Sequence, residues 1–312
     1  MSYGIGDTPL VRSEYLEKRL CVDEIYLKLE GQNPTGTHKD RLAIQHVDDA
    51  IIKNYETITV GSCGNYGVSM SFVACRSALD CKIFVPRKYS DKMIERMEHY
   101  GAEVIRVEGG YEESVRQSRK MADEKGWYDA NPGKENTPIS LVAYVDIAEE
   151  IQEELDETPS TISVPVGNGT TLAGIHLGFR LLWRKNRSKY VPKMLASTSL
   201  GNNAILKTYK EGSEEILVMD PDEIRPTDVN EPLLNWNALN GQEAINAIRE
   251  TEGTAEGLTD EEMLEYQSML QDDGINCLPV SASALGALDR YEEKDQLQGK
   301  NVIVITSGVR NV

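Results

Sequence analysis

Lys39 is the first residue of this chain whose type and setting point to chemistry. The stretch Leu27 to Arg41 reads Leu-Lys-Leu-Glu-Gly-Gln-Asn-Pro-Thr-Gly-Thr-His-Lys-Asp-Arg; it turns through Pro34 and Gly36 and delivers Lys39 to the first turn of an expected helix. The positive end of a helix dipole disfavours the ammonium form, and so helps supply the neutral amine that imine chemistry needs. A solvated surface lysine is the competing reading, because lysines are mostly exposed. The company Lys39 keeps along the chain favours the chemical one.

A glycine loop, Gly167-Asn168-Gly169-Thr170-Thr171, separates an expected strand from the helix Leu172 to Leu182. Backbone N–H groups there can converge on an anion at a helix N-terminus, although a tight turn that merely needs glycine is the alternative. From Thr161 to Phe179 there is no Lys or Arg. A phosphate at this loop would be held by neutral donors and the helix dipole, which suits a permanently held cofactor phosphate better than a transferred one. The loop lacks the G-x-G-x-x-G spacing and later acidic residue of a dinucleotide site, and the Lys-Ser/Thr of a P-loop, so NAD and ATP are weak candidates.

The elements that must position these loops read as alternating strands and helices. Strands are expected at 25–29, 57–60, 82–86, 103–107, 161–166, 193–198 and 301–305, and helices from Lys39, from Val68, over 91–100, 112–125 and 139–155, over 172–182 and from Thr259, which with Glu262 forms a capping-box pattern. Repeated βα units imply an α/β fold with mostly parallel sheets, whose ligands gather at strand carboxyl ends. The two runs of units, before and after about residue 138, give two lobes with a cleft between them. The irregular stretch from Gly212 to Trp236 is long enough to wall a site.

Composition excludes several classes. With 312 residues the chain can bury a full core, and no apolar run approaches the roughly 20 residues that span a bilayer. The N-terminus carries neither a basic segment nor an apolar signal core, so the expected location is cytoplasmic. A net charge of −18 opposes nucleic-acid binding. Five cysteines without a C-x-x-C pair, expected to be mostly buried thiols, and four histidines leave little material for a disulfide framework or a metal site.

Taken in order, Gly6 to Val11, Leu27 to Arg41, Ser62 to Gly67, Tyr100 to Val107, Val164 to Thr171, Asn230 to Trp236, Leu278 to Leu285 and Thr306 to Asn311 resemble the fold-type II pyridoxal-phosphate enzymes, and most of all threonine synthase and its close relatives. The resemblance implies a fold of the tryptophan synthase β-like kind, with a smaller mobile α/β domain over 48–138 and a larger one, 1–47 plus 139–312, carrying the phosphate loop. Pyridoxal 5′-phosphate would lie in the cleft. Lys39 would bond to its aldehyde carbon and then carry protons at substrate carbons, Asn65 would hydrogen-bond its 3′-oxygen, and Gly167, Asn168, Gly169, Thr170 and Thr171 would hold its phosphate. Thr306 or Ser307 would face the pyridine nitrogen, where a hydroxyl in place of a carboxylate favours elimination and replacement over transamination. Ser62, Cys63, Gly64 and Tyr66 would grip the substrate α-carboxylate, with His38 and Lys134 as further substrate contacts and no metal. Cys63 as a nucleophile is disfavoured by the lack of a nearby basic partner in the sequence.

The departures bear on the substrate. Where threonine synthases carry Asn-Pro-Arg and a Glu-Gly-Gln-Lys-Thr run, this chain has Asn131-Pro132-Gly133-Lys134-Glu135-Asn136-Thr137-Pro138, which removes expected phosphate-binding cations apart from Lys134. Thr37-His38 replaces the usual Ser-Phe, and Ser62-Cys63-Gly64-Asn65-Tyr66 replaces Ser-Thr-Gly-Asn-Thr. The expectation is a threonine synthase-like lyase acting at the β or γ carbon of a small amino acid, with O-phosphohomoserine leading. Serine or threonine dehydration, cysteine or cysteate synthase-like β-replacement, and a non-catalytic cofactor-binding paralogue are the rivals. Family likeness implies a homodimer.

Overall fold

The computed structural model describes residues 3–62, 64–294 and 297–308. The chain opens with β1 (Leu10–Arg12), α1 (Glu14–Leu20) and β2 (Ile25–Lys28). It continues through α2 (Lys39–Ile52), β3 (Thr57–Gly61), α3 (Asn65–Arg76), β4 (Asp80–Pro86), α4 (Asp91–His99), β5 (Glu103–Val107), α5 (Tyr111–Lys125), β6 (Tyr128–Asp129) and α6 (Thr137–Val142). Then come α7 (Val145–Leu155), β7 (Thr161–Pro165), α8 (Thr170–Arg184), β8 (Lys193–Ser199), α9 (Ala204–Glu211), α10 (Gly241–Glu250), β9 (Thr254–Leu258), α11 (Asp260–Asp272), α12 (Pro279–Asp289) and β10 (Asn301–Val304). Two compact units result, 1–5 with 33–143 and 6–32 with 144–312. This division groups 33–47 with the smaller unit, where the sequence expectation had put them with the larger one, because α2 packs along α3 and α6.

The smaller unit holds a parallel sheet of order β5-β4-β3-β6. Successive strands run from β3 to β5 on one side, and β6 returns to the other side of β3. That reversal is a topological switch point, where loops leaving the two neighbouring strands diverge and open a crevice. The loop after β3 begins at Ser62, and the loop after β6 leads to Asn131. Asn131, fully buried, joins them by accepting at Oδ1 from the Gly61 N–H (2.9 Å). Gly61 is required here, because a Cβ would collide with the backbone of Ser114 and Val115 on α5.

The larger unit repeats the device. Its sheet has the order β1-β2-β10-β7-β8-β9, parallel except for the edge strand β1. Strands β7, β8 and β9 run one way from β7, and β10 lies on its other side, so the switch point falls between β7 and β10. Every residue of β7 and β10 is buried, the pattern of parallel strands covered on both faces. α12 packs on β7, β8 and β9, and the core cluster joins its Leu285 to Leu258, Met263 and Ile303. The Thr259–Glu262 capping box that starts α11 is formed in both directions.

Two expectations need correction. The single helix expected over 139–155 is two helices, α6 and α7, broken at Ala143–Tyr144, where Tyr144 leaves helical geometry (φ −112°, ψ 2°) with its ring fully buried. Of the four described cysteines half are exposed rather than buried, Cys21 and Cys75, while Cys81 and Cys277 are internal, where burial pushes each thiol up to about 12. Gly61→Ala should destabilise the protein by about 2 kcal/mol or more, since backbone rather than a flexible side chain occupies the space. Urea denaturation checks this, and a loss under about 0.5 kcal/mol would show that α5 can shift freely.

Candidate active site

In the smaller unit, the turn that presents Lys39 is built around one carboxylate. Asp40, fully buried in the first turn of α2, accepts from the Thr35 N–H (2.7 Å) and Thr35 Oγ1 (2.5 Å), and Thr35 Oγ1 also meets Ser69 Oγ on α3 at 3.1 Å. Gly36 supplies the positive φ (+90°) that reverses the chain, its N–H donating to Asn33 O (2.8 Å). Lys39 therefore opens α2 in a fixed orientation, behind His38, whose side chain makes no capping bond. Burial lowers the Lys39 ammonium to about 8, and the helix dipole acts in the same direction.

The neighbouring helix α3 starts at Asn65, with Gly64 (φ +94°) at its cap and no side-chain capping bond. Ser62 is buried, and its N–H donates to Phe84 O (3.0 Å), extending the β3–β4 pairing. The Tyr66 hydroxyl donates to Ala130 O (2.9 Å), so it ties α3 to the chain leaving β6. Cys63 and the side chain of Lys134 lie outside the described residues. Lys39, His38, Ser62, Gly64, Asn65 and Tyr66 thus occupy the beginnings of two helices packed side by side in one unit.

Arg119 was not singled out by the sequence. From α5 it donates to Pro132 O (2.6 Å) and faces Asp129 at 3.4 Å, so a cation does underlie the 129–136 loop. Asn136 braces the same loop by donating to Asp129 O and Asn131 O, both at 2.8 Å. A helical period alone does not reveal which face of α5 meets this loop.

In the larger unit, the loop 167–171 leaves β7 and opens α8, whose N-terminus has no side-chain cap. A Cβ on Gly167 would lie 2.9 Å from Pro232 O, and one on Gly169 (φ +89°) 2.7 Å from both Asn240 O and the Ala244 side chain. The loop is thereby pressed against 232–244 and needs both glycines. Asn168 Oδ1 accepts from Asn235 Nδ2 (2.6 Å) and the Leu239 N–H (3.2 Å), while the Thr170 hydroxyl donates to Asn240 Oδ1 (3.0 Å). Thr170 is left with its backbone N–H for an anion, and Thr171 with hydroxyl and N–H. The donor set is wholly neutral, in keeping with a phosphate held by backbone and dipole.

On the other side of the switch point, buried Thr306 and Ser307 follow β10. Ser281 Oγ on α12 lies 3.0 Å from Thr306 Oγ1 and 2.9 Å from Ser307 Oγ, and accepts from the Ser307 N–H (3.0 Å). Ser281 is the member of this cluster that sequence reading did not assign, although it lies within the resembling stretch Leu278 to Leu285. The 167–171 loop and the hydroxyl cluster emerge from adjacent parallel strands at the same sheet edge. Among the described residues, no group of three or more His, Cys, Asp or Glu could hold a metal, and no helix is long and apolar enough to cross a membrane.

Two parallel α/β units, each with a switch-point loop at a helix start, define the tryptophan synthase β-like, fold-type II architecture. Over residues 1–308 the chain matches the family model described as pyridoxal-phosphate dependent enzyme, and it belongs to that family. It is 31% identical over 307 residues to threonine synthase from Methanocaldococcus jannaschii, covering 97% of this chain and 74% of that one. In fold it is similar to serine racemase from Dictyostelium discoideum (TM-score 0.82, 20% identity, 98% of this chain and 94% of the other). It is also similar to threonine deaminase isoform 2 from Solanum lycopersicum (TM-score 0.80, 17% identity, 99% and 85%). The protein is a pyridoxal-phosphate-dependent enzyme of lyase type, and the neutral donors at 167–171 suit the cofactor's phosphate.

The lowered Lys39 pKa has a testable sign. Between about 8 and the ordinary 10.5 the unfolded chain binds a proton that the folded one does not, so Lys39 adds stability as pH rises through that window. The protein freed of cofactor should gain stability relative to its Lys39→Met variant from about pH 8 to 10, measured by paired urea denaturations. A constant difference between the two across that range would contradict the lowered pKa.

Proposed function

We propose that this enzyme carries out threonine synthase-type elimination and replacement at the β or γ carbon of an amino acid, with O-phosphohomoserine as substrate and L-threonine and phosphate as products. The likeness to threonine synthase across nearly the whole chain is the observation that carries the reading. Pyridoxal phosphate, when bound, supplies an electron sink for carbanion chemistry next to the amino group.

The protein's own residues supply the rest. Lys39, whose lowered pKa of about 8 makes its neutral amine accessible, would hold the cofactor and would take and return protons at substrate carbons. Loop 167–171 would hold the cofactor phosphate at the α8 N-terminus, and Asn65 would hydrogen-bond its 3′-oxygen. Thr306 or Ser307, steadied by Ser281, would offer the pyridine nitrogen a hydroxyl in place of a carboxylate. Ser62, Gly64 and the backbone at the start of α3 receive the substrate α-carboxylate, with Cys63 and Tyr66 in the same loop. His38 and Lys134 flank the substrate, and the working form is a cytoplasmic homodimer.

A second reading, dehydration of serine or threonine, is favoured by one observation: the 131–138 loop has a single cation, Lys134, and Arg119 beneath it already faces Asp129. Protein incubated with pyridoxal phosphate should turn yellow and lose that visible absorption in Lys39→Ala. With O-phosphohomoserine it should release phosphate and L-threonine. Release of 2-oxo acid and ammonia from serine or threonine, without phosphate release from O-phosphohomoserine, would establish the dehydratase instead.

A further inference from the structure

The segment that joins β4 to α4, together with α4 itself, reaches both helix-start loops of the smaller unit. Tyr89, held by its N–H on Pro86 O (3.0 Å), carries its hydroxyl to 3.2 Å from the point a Cβ on Gly64 would occupy. In the second turn of α4, Arg96 Nη2 donates to Thr35 O (3.3 Å), four residues before Lys39. The next residue, Met97, places its Cε 2.6 Å from the Cβ position of Gly67 on α3, so α4 is seated tightly against the helix that begins at the substrate loop.

Arg96 is partly buried, and its charge is unbalanced. Its neighbours Arg87 and Arg106 pair with Glu108 and Asp91, but no carboxylate lies within ion-pair distance of Arg96 among the described residues. Asp40, the acidic group nearest in the chain to this turn, is occupied by two bonds from Thr35. Because Arg96 is only partly buried, its guanidinium is open to an incoming anion, with which it can make charge-assisted hydrogen bonds. The 131–138 loop, in contrast, has its underlying Arg119 already facing Asp129.

We propose that Arg96 is the specificity residue that receives an anionic group on the substrate side chain, a phosphate ester or similar leaving group, and so selects acidic-side-chain substrates over neutral ones. This rests on the reading of 62–66 as the substrate loop. Tyr89 approaches the same loop, and Arg96 adds a positive charge to the single one, Lys134, that the 131–138 loop carries. The bond to Thr35 O leaves further guanidinium N–H groups to donate to a phosphate.

The test compares holoenzyme binding of O-phospho-L-homoserine and of L-homoserine, read by the change in cofactor absorption and by thermal shift. Arg96→Gln keeps a donor for Thr35 O but removes the charge, and Arg96→Lys restores it. The wild type should prefer the phosphorylated ligand, and Arg96→Gln should erode that preference by about tenfold or more, the scale of a lost charge-assisted bond. L-homoserine binding should stay within about twofold, and Arg96→Lys should recover part of the preference. Equal weakening of both ligands, an unchanged preference in Arg96→Gln, no recovery in Arg96→Lys, or no wild-type preference would each overturn the proposal. Failure of the wild type to take up cofactor, or cofactor uptake unaffected by Lys39→Ala, would overturn the underlying reading instead.

Discussion

The site depends on holding one amine still and weakening its hold on a proton. Lys39 is useful for covalent chemistry only without its proton, and burial at the start of a helix lowers its pKa to about 8. A flexible loop could not hold it there, because water would return with every excursion. The buried Asp40, bonded twice to Thr35, fixes the turn, and Thr35 is itself pinned to Ser69 on the adjacent helix. Local sequence and tertiary packing meet in those few bonds.

The same economy governs anion handling. The 167–171 loop has no cation of its own and relies on backbone N–H groups that only glycine allows to lie so close to 232–244. The hydroxyl cluster of Ser281, Thr306 and Ser307 is likewise uncharged. Neutral donors suit a group that stays bound, whereas a leaving group calls for a charge that can be met and released. Both sheets place these functions at a switch point, where β6 lies beside β3 and β10 beside β7.

Much of this was legible in the sequence because it is local. Strands β5 and β10, the capping box at Thr259 and the start of α2 at Lys39 follow from periodicity and punctuation within a few residues. The resemblance ordered the loops. What escaped was contact at long range: α1, α9, α10 and α12 were not assigned, and the apolar α12 is a helix chiefly through its packing on three strands. Ser281 meets Thr306 across 25 positions, and Arg119 reaches Pro132 only because α5 is pinned against Gly61. The break at Ala143–Tyr144 carries only a weak local signal, the modest helix propensity of Val142, Tyr144 and Val145, because no Gly or Pro marks it.

The central claim is that one lysine among those of this chain bears the cofactor. The direct measurement is borohydride reduction of the protein incubated with pyridoxal phosphate, followed by peptide mass mapping of the labelled residue. The account predicts a single stoichiometric label on Lys39. A label on another lysine, such as the buried Lys28 paired with Glu150 and Glu154, or no stable label at all, would contradict it.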